Sequence, residues 1–348
     1  MADLYQPNRD WENLARKVVQ PQQIVLVIGA TDVGKSTFCR FLIEQGVTSG
    51  LRVGFVDADV GQSQIGPPTT IGLKVFSPND STDNLTEIEG EPDALYFVGW
   101  TSPERHLLQC VAGTRLMVDA ALKTGADLIV VDTTGYIEGD TAVVLKQHKI
   151  ELVKPTHLIC LHRSRELEAI VAPFEGNDTI QTHRLLPHRS VSSKSDDFRR
   201  KYRESSFTRY FSDCVQEMLP FDQIRGQSTP FFNGRQANPK EQEMLSDFVD
   251  DHVFYAEWGH RSLVLVTLDA LPSLIQARLK NHLSLKNLVT ATPQYFEGCL
   301  VGLLDASGTT ISIGVIDAVD FNTKQLQSRC KVGTAAKTKT IQFGRYRM

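Results

Sequence analysis

Apolar and polar positions follow two rhythms along this 348-residue chain. In the first two-thirds, short unbroken apolar runs are separated by stretches with helical spacing. IVLVIG (24–29) reads as a strand, and KSTFCRFLIEQ after it as a helix. RVGFVDAD (52–59) reads as a second strand. ALYFVG (94–99) is a third, followed by a helix near 105–123, and DLIVVDTTG (127–135) is a fourth. A helix near 141–151 leads into THLICL (156–161). Continuous Val/Ile/Leu strands alternating with helices predict a parallel sheet covered on both faces.

Near 221–243 the rhythm breaks. FDQIRGQSTPFFNGRQANPK holds Gly226, Pro230, Gly234 and Pro239 without a clear period, and reads as a linker or irregular excursion. SLVLVTL (262–268) and a helix near 270–283 follow. Short alternating runs punctuated by Gly and Asp then predict a small antiparallel β domain. The predicted organisation is an N-terminal extension over 1–20, an α/β domain over 21–220, and a linker with a C-terminal β-rich domain over 221–348.

Composition changes this picture little. Apolar residues make up 41% and charged residues 22%, as in a globular protein. No apolar run approaches the roughly 18 residues of a membrane span. The N-terminus mixes charges of both signs and lacks the hydrophobic stretch of a secretory signal. A cytoplasmic location is expected, or a nuclear one in a cell with a nucleus. The six cysteines form no C-x-x-C pair and mostly sit in apolar runs, which reads as reduced core thiols rather than zinc ligands. Net charge is −4, so any polyanion site must be local. Residues 181–209 supply one candidate, with eight Lys or Arg against three acids. Residues 331–348 carry five basic residues and no acid.

The chemistry lies where the strands end. Gly29-Ala30-Thr31-Asp32-Val33-Gly34-Lys35-Ser36 matches G-x-x-x-x-G-K-[ST], with a strand before it and a helix after it, and these residues together with Thr37 are the expected ATP-binding set. The glycines let backbone N–H groups converge on one point, and the helix N-terminus adds partial positive charge. Lys35 is placed to reach the β/γ-phosphates of ATP, and Ser36 to hold Mg²⁺. DLIVVD ends an apolar strand on Asp132, the Walker B pattern, with a carboxylate near that Mg²⁺. These motifs specify an α/β P-loop NTPase fold without choosing between hydrolase and kinase.

Two further segments bear on that choice. The second strand ends in Asp57 and Asp59, on one side if the strand continues. A carboxylate at this edge can take the proton of an attacking hydroxyl, and Asp59, nearer the edge, is preferred. SSKSDDFRRKYRESSFTRYF (192–211) reads as a helix with Arg199 and Arg203 on one face and Lys194 just ahead. Such a face suits a lid over transferring phosphates, and equally a solvated surface. Trp100, between Gly99 and Thr101, reads as a base-stacking platform or as ordinary packing.

Together these segments resemble a family. A P-loop, a strand ending D-V-G-Q, Y/F-x-G-x-T-S-P, D-T-T-G-Y-x-x-G and a basic helix ending Y-F occur in this order over residues 24–215. The pattern resembles the polynucleotide 5′-hydroxyl kinases, which include the kinase subunit of the pre-mRNA cleavage complex, the nucleolar pre-rRNA processing kinases and archaeal counterparts. The resemblance implies transfer of the γ-phosphate of ATP to the 5′-hydroxyl of RNA or DNA. It implies Asp59 as base and metal neighbour, Gln62 near the substrate, and Thr101 near the metal. It implies Tyr136, where relatives carry Trp, near the phosphates or acceptor. Lys194, Arg199 and Arg203 match the basic lid positions. The short lead before the first strand suggests a prokaryote-like member without the N-terminal β domain. A partner-loading ATPase and an ATP-binding scaffold for RNA processing are the competing expectations. A GTPase is disfavoured because no N/T-K-x-D segment follows a strand.

Overall fold

The Val/Ile/Leu runs become strands because β-branched side chains fill a sheet buried on both faces. The computed structural model describes residues 7–78, 80, 91–189 and 191–348. The first six residues of the predicted N-terminal extension lie outside the described residues. Two compact units divide the chain, Met1–Tyr210 and Phe211–Met348.

In chain order the first unit holds α1 (Arg9–Val18), β1 (Gln23–Gly29), α2 (Lys35–Thr48), β2 (Val53–Ala58), β3 (Thr70–Phe76) and β4 (Ala94–Phe97). There follow α3 (Leu107–Lys123), β5 (Leu128–Thr133), α4 (Asp140–Val153), β6 (His157–Leu161), α5 (Glu168–Val171), β7 (Gln181–Leu185) and α6 (Asp196–Phe211). Strands β7, β6, β1, β5 and β2 lie side by side, all parallel. Two antiparallel strands extend them, β3 on β2 and β4 on β3. The short β2–β3 connection lacks the crossover helix a parallel neighbour needs, so the sheet turns antiparallel there.

Alternation along β1 divides the core. Val25 and Val27 face Trp11 and Leu14 of α1 and Phe38 and Phe41 of α2. Leu26 and Ile28 face Val118 of α3, Leu145 of α4 and Ile170 of α5. Each fully buried side chain of this size contributes about 1.5–3 kcal/mol. Helices therefore cover both faces, and β1 and β5 sit centrally with their C-terminal ends at one edge.

The second unit holds β8 (Cys214–Pro220), β9 (Arg225–Gln227), β10 (Arg235–Gln236), α7 (Pro239–Val249), β11 (Val253–Gly259) and β12 (Ser262–Thr267). It continues with α8 (Ser273–His282), β13 (Asn287–Ala291), β14 (Cys299–Leu304), β15 (Thr310–Asp320), β16 (Gln325–Lys331) and β17 (Thr340–Arg347). One sheet runs β8-β16-β15-β14-β17-β9 and the other β10-β11-β12-β13. Phe221, Phe231, Phe232, Tyr255, Phe296, Phe321 and Phe343 form an aromatic core. Glu257, 2% exposed, accepts from the N–H groups of Phe232 and Asn233 and from the Tyr255 hydroxyl.

Part of the stretch read as an irregular excursion is helical. α7 starts on Asn238, whose side chain accepts from Glu241 N while the Glu241 carboxylate accepts from Asn238 N, with Pro239 at the first position. N-P-K-E is a capping-box signal that the aperiodic stretch before it obscured. The second unit is also not purely antiparallel, since β12 and β13, joined through α8, pair in parallel. Among the described residues no helix is long and apolar enough to cross a membrane.

Candidate active site

Between β1 and α2 the chain makes the tight turn a phosphate-binding loop requires. Gly34 stands at φ 89°, in the left-handed region that glycine enters without strain. The first N–H groups of α2 have no intrahelical partner and point out of the helix end. Lys35 is 7% exposed, and its Nζ donates to Ala30 O at 2.8 Å. The ammonium thus lies curled over the loop. Gly135, on the neighbouring loop, packs so closely that a Cβ there would sit 2.6 Å from Thr31 N and Cα.

The carboxylates gather beside this loop. Asp132 is the penultimate residue of β5, and Asp57 lies directly opposite it on β2. Ser36 Oγ donates to Asp132 Oδ2 at 2.5 Å. The two buried acids are shifted toward the neutral form. Burial, then Asp132 and Asp59, push Asp57 up to about 7. Burial also raises Asp132, while Lys35 and the Ser36 hydroxyl pull it back. Like charges this close favour a bound cation. Among the described residues no three His, Cys, Asp or Glu form an all-protein metal cage. Mg²⁺ fits regardless, because it takes one or two protein ligands and completes its shell with water and phosphate oxygens.

Asp57 and Asp59 differ in how they are held. Asp57 Oδ2 accepts from Gln64 N (2.5 Å), Ile65 N (3.1 Å) and Ser63 Oγ (3.2 Å), and Oδ1 accepts from Asp59 N (3.1 Å). It is committed to shaping the loop after β2. Asp59 Oδ1 accepts from Gly61 N (3.0 Å) and Gln62 N (3.1 Å), while Oδ2 has no hydrogen bond among the described residues. The carboxylate is therefore oriented by one oxygen and open at the other.

The remaining predicted residues fall into two groups. Gln62 follows Asp59 on the same loop, and its Nε2 is buried without a partner among the described residues. Thr101 approaches that loop through its backbone, since a Cβ on Gly61 would lie 2.8 Å from Thr101 O. Arg199 reaches the P-loop, where its Nη2 meets Asp32 Oδ2 at 2.5 Å. Elsewhere, Trp100 stacks on His106 with centroids 6.5 Å apart. The Tyr136 hydroxyl hydrogen-bonds Thr141 Oγ1 at 2.5 Å. Lys194 donates its backbone N–H to Asp32 Oδ2 of the P-loop at 2.9 Å, while its ammonium lies 5.4 Å over the Phe198 ring. Arg203 makes no ion pair among the described residues.

Two lysines of α4 escaped the sequence reading. Lys146 and Lys149 are 0% and 1% exposed. Lys146 Nζ donates to Thr133 Oγ1 (2.8 Å) and Thr134 O (2.6 Å), and Thr133 Oγ1 donates in turn to Val27 O (2.8 Å). This chain ties α4 to the end of β5 and to the strand feeding the P-loop. Lys149 Nζ has no partner among the described residues. Burial pushes both amines down, Lys146 well below the usual lysine value. Neither residue belongs to a motif, so only their burial in the folded chain marks them.

Comparison with known proteins bears on this arrangement. The mRNA cleavage and polyadenylation factor CLP1 P-loop family matches residues 29–213. The chain is 31% identical over 333 residues to the polyribonucleotide 5′-hydroxyl-kinase of Methanocaldococcus jannaschii, covering 94% of this chain and 88% of that protein. It is 30% identical to the enzyme so named in Thermococcus kodakarensis, covering 93% of this chain and 88% of that one. The solved structure of a Clp1p–Pcf11p complex shares the fold at a TM-score of 0.63 and 14% identity, covering 98% of this chain and 80% of that one.

Proposed function

Because the chain belongs to the CLP1 P-loop family, we propose that it is an ATP-dependent polyribonucleotide 5′-hydroxyl kinase. Asp59 carries this reading. It is a carboxylate fixed through Oδ1 and open at Oδ2, beside the phosphate loop, as a base for an attacking hydroxyl must be.

In the reaction the 5′-oxygen of the acceptor attacks the γ-phosphorus of ATP. The new P–O5′ bond forms as the bond to the β-phosphate oxygen breaks, and ADP leaves. Asp59 Oδ2 accepts the hydroxyl proton. Lys35 swings from Ala30 O to the β/γ-phosphates, and the P-loop N–H groups hold the phosphate oxygens. Ser36 and Asp132, with Asp59 and Thr101 nearby, would hold Mg²⁺, which when bound neutralises phosphate charge. Arg199 meets the charge developing on the transferred group, with Arg203 and Lys194 on the same lid. Gln62, whose Nε2 has no partner among the described residues, contacts the acceptor strand, while Trp100 and Tyr136 line its approach. Most of the barrier reduction then comes from positioning and electrostatics. Two archaeal relatives named polyribonucleotide kinases favour RNA over DNA and a kinase over a partner-loading ATPase.

The test is transfer of labelled γ-phosphate to matched 5′-hydroxyl RNA and DNA oligonucleotides, with Asp59→Asn beside the wild type. Labelled RNA from the wild type, lost in the variant, is expected. ATP hydrolysis with neither oligonucleotide labelled would overturn the reading.

A further inference from the structure

An acidic side chain in a loop built to hold phosphates is electrostatically out of place. Asp32 occupies such a position, and its backbone is in the left-handed region at φ 54°, a conformation that costs a non-glycine residue stability. Its surroundings account for both features. Asp32 Oδ2 accepts from Lys194 N at 2.9 Å and from Arg199 Nη2 at 2.5 Å. Its own carbonyl oxygen accepts from Arg163 Nη2 at 2.5 Å. The Asp32 and Arg199 side chains are only 13% and 21% exposed. This is a half-buried, charge-assisted contact rather than a solvated surface pair.

The basic segment is seated on the loop at other points too. A Cβ on Gly34 would lie 2.9 Å from Val191 Cγ2, so the chain entering α6 passes directly over the P-loop. Further along α6, the Tyr202 hydroxyl donates to Ser63 O at 3.2 Å on the Asp59 loop. Arg199 spends Nη2 on Asp32 and Nη1 on Asp196 (2.9 Å). Its Nε is buried and has no partner among the described residues. A guanidinium clamped at both terminal nitrogens, with a desolvated donor left over, is set to offer that donor to an anion.

We infer that Asp32 is a positioning residue: it docks the basic helix onto the P-loop and orients Arg199 so that Nε meets the transferred phosphoryl group. The inference rests on the kinase reading for the identity of that group. It carries an internal cost, because the carboxylate that positions Arg199 also repels the phosphates of ATP. Removing its charge therefore slows turnover while leaving ATP binding unchanged or tighter.

The experiment compares wild type, Asp32→Asn, Arg199→Ala and the double variant. Transfer to 5′-hydroxyl RNA, ATP binding, and trypsin cleavage after Arg200, Lys201 and Arg203 are measured on each. Asp32→Asn is expected to lower kcat roughly ten- to a hundredfold, as a misplaced catalytic group does. KM and the dissociation constant for ATP should be unchanged or lower, and tryptic cleavage of the helix faster. In the Arg199→Ala background Asp32→Asn should have no further effect on kcat, because it acts through that arginine. A raised ATP dissociation constant with unchanged kcat would assign Asp32 to nucleotide binding alone and overturn the inference. Unchanged tryptic cleavage would overturn the docking. If the wild type labels no RNA, the kinase reading fails, and the cleavage and binding data still decide whether Asp32 holds the helix.

Discussion

Lys146 and Lys149 lie one helical turn apart on α4, equally buried and oppositely satisfied, so one substitution should have opposite effects at the two sites. Lys149→Met removes an amine that was desolvated without a partner, and the methionine fills similar volume. A buried unsatisfied group costs about 1–3 kcal/mol, so the variant should gain about that much. For Lys146, Thr133 Oγ1 has already committed its proton to Val27 O and must accept from the lysine, and Thr134 O can only accept. These partners suit the N–H donors of the lysine amine. Lys146→Met loses two hydrogen bonds worth about 0.5–1.5 kcal/mol each and strands a buried carbonyl at about 1–3 kcal/mol. Part of this is recovered because the amine no longer has to be desolvated, leaving a net loss of about 3 kcal/mol. At about 2–4 °C per kcal/mol for a unit of this size, Lys149→Met should raise the unfolding midpoint by several degrees and Lys146→Met lower it by roughly 10 °C. Thermal unfolding, followed through the transition that ATP raises, reads both. A lowered midpoint for Lys149→Met, or a wild-type midpoint for Lys146→Met, would show that the two amines are not satisfied in this way.

Three other outcomes follow from named contacts. Gly135→Ala drives a Cβ into the Thr31 backbone. Overpacking of about 1–3 kcal/mol should weaken ATP binding roughly ten- to a hundredfold in a direct titration, whereas unchanged affinity would mean the two loops are not tightly packed. Glu257→Gln sets an amide against donors that the carboxylate satisfied, and should cost the second unit about 2–4 kcal/mol in denaturant unfolding. Burial, then His183 beside it, pushes His157 down to about 4. The unfolded imidazole takes up a proton near pH 6.5 and the folded one does not, so stability is full above pH 6.5 and falls as pH drops toward 4. The unfolding midpoint of His157→Leu should vary less across that window than that of the wild type.

The sequence exposed the features that are themselves local geometry. The P-loop was legible because Gly34 and Lys35 encode a turn and a helix start. Asp132 was legible because it ends a run of residues buried on both faces. The basic helix was legible, but not where Arg199 would go, because nothing in the spacing of Asp32 and Arg199 says that 167 residues of separation close to a direct contact. α1 carried a signal in its apolar spacing. Trp11, Leu14, Ala15 and Val18 are its buried residues and recur at helical spacing. β3, TIGLKVF, hid because Gly72 and Lys74 interrupt its apolar pattern. The α4 lysines were hidden for a different reason. A lysine on a helix reads as solvated, and only the fold of the sheet beneath it determines otherwise.

On the proposed function, ATP turnover at this site is committed to a 5′-hydroxyl. Its most direct test is a single-turnover experiment with one RNA sequence carrying either a 5′-hydroxyl or a 5′-phosphate, with labelled RNA and ADP counted together. One ADP per labelled 5′-end is expected with the hydroxyl substrate, and little of either with the phosphate. ADP formation at the same rate whichever end is present, without label on the RNA, would contradict it.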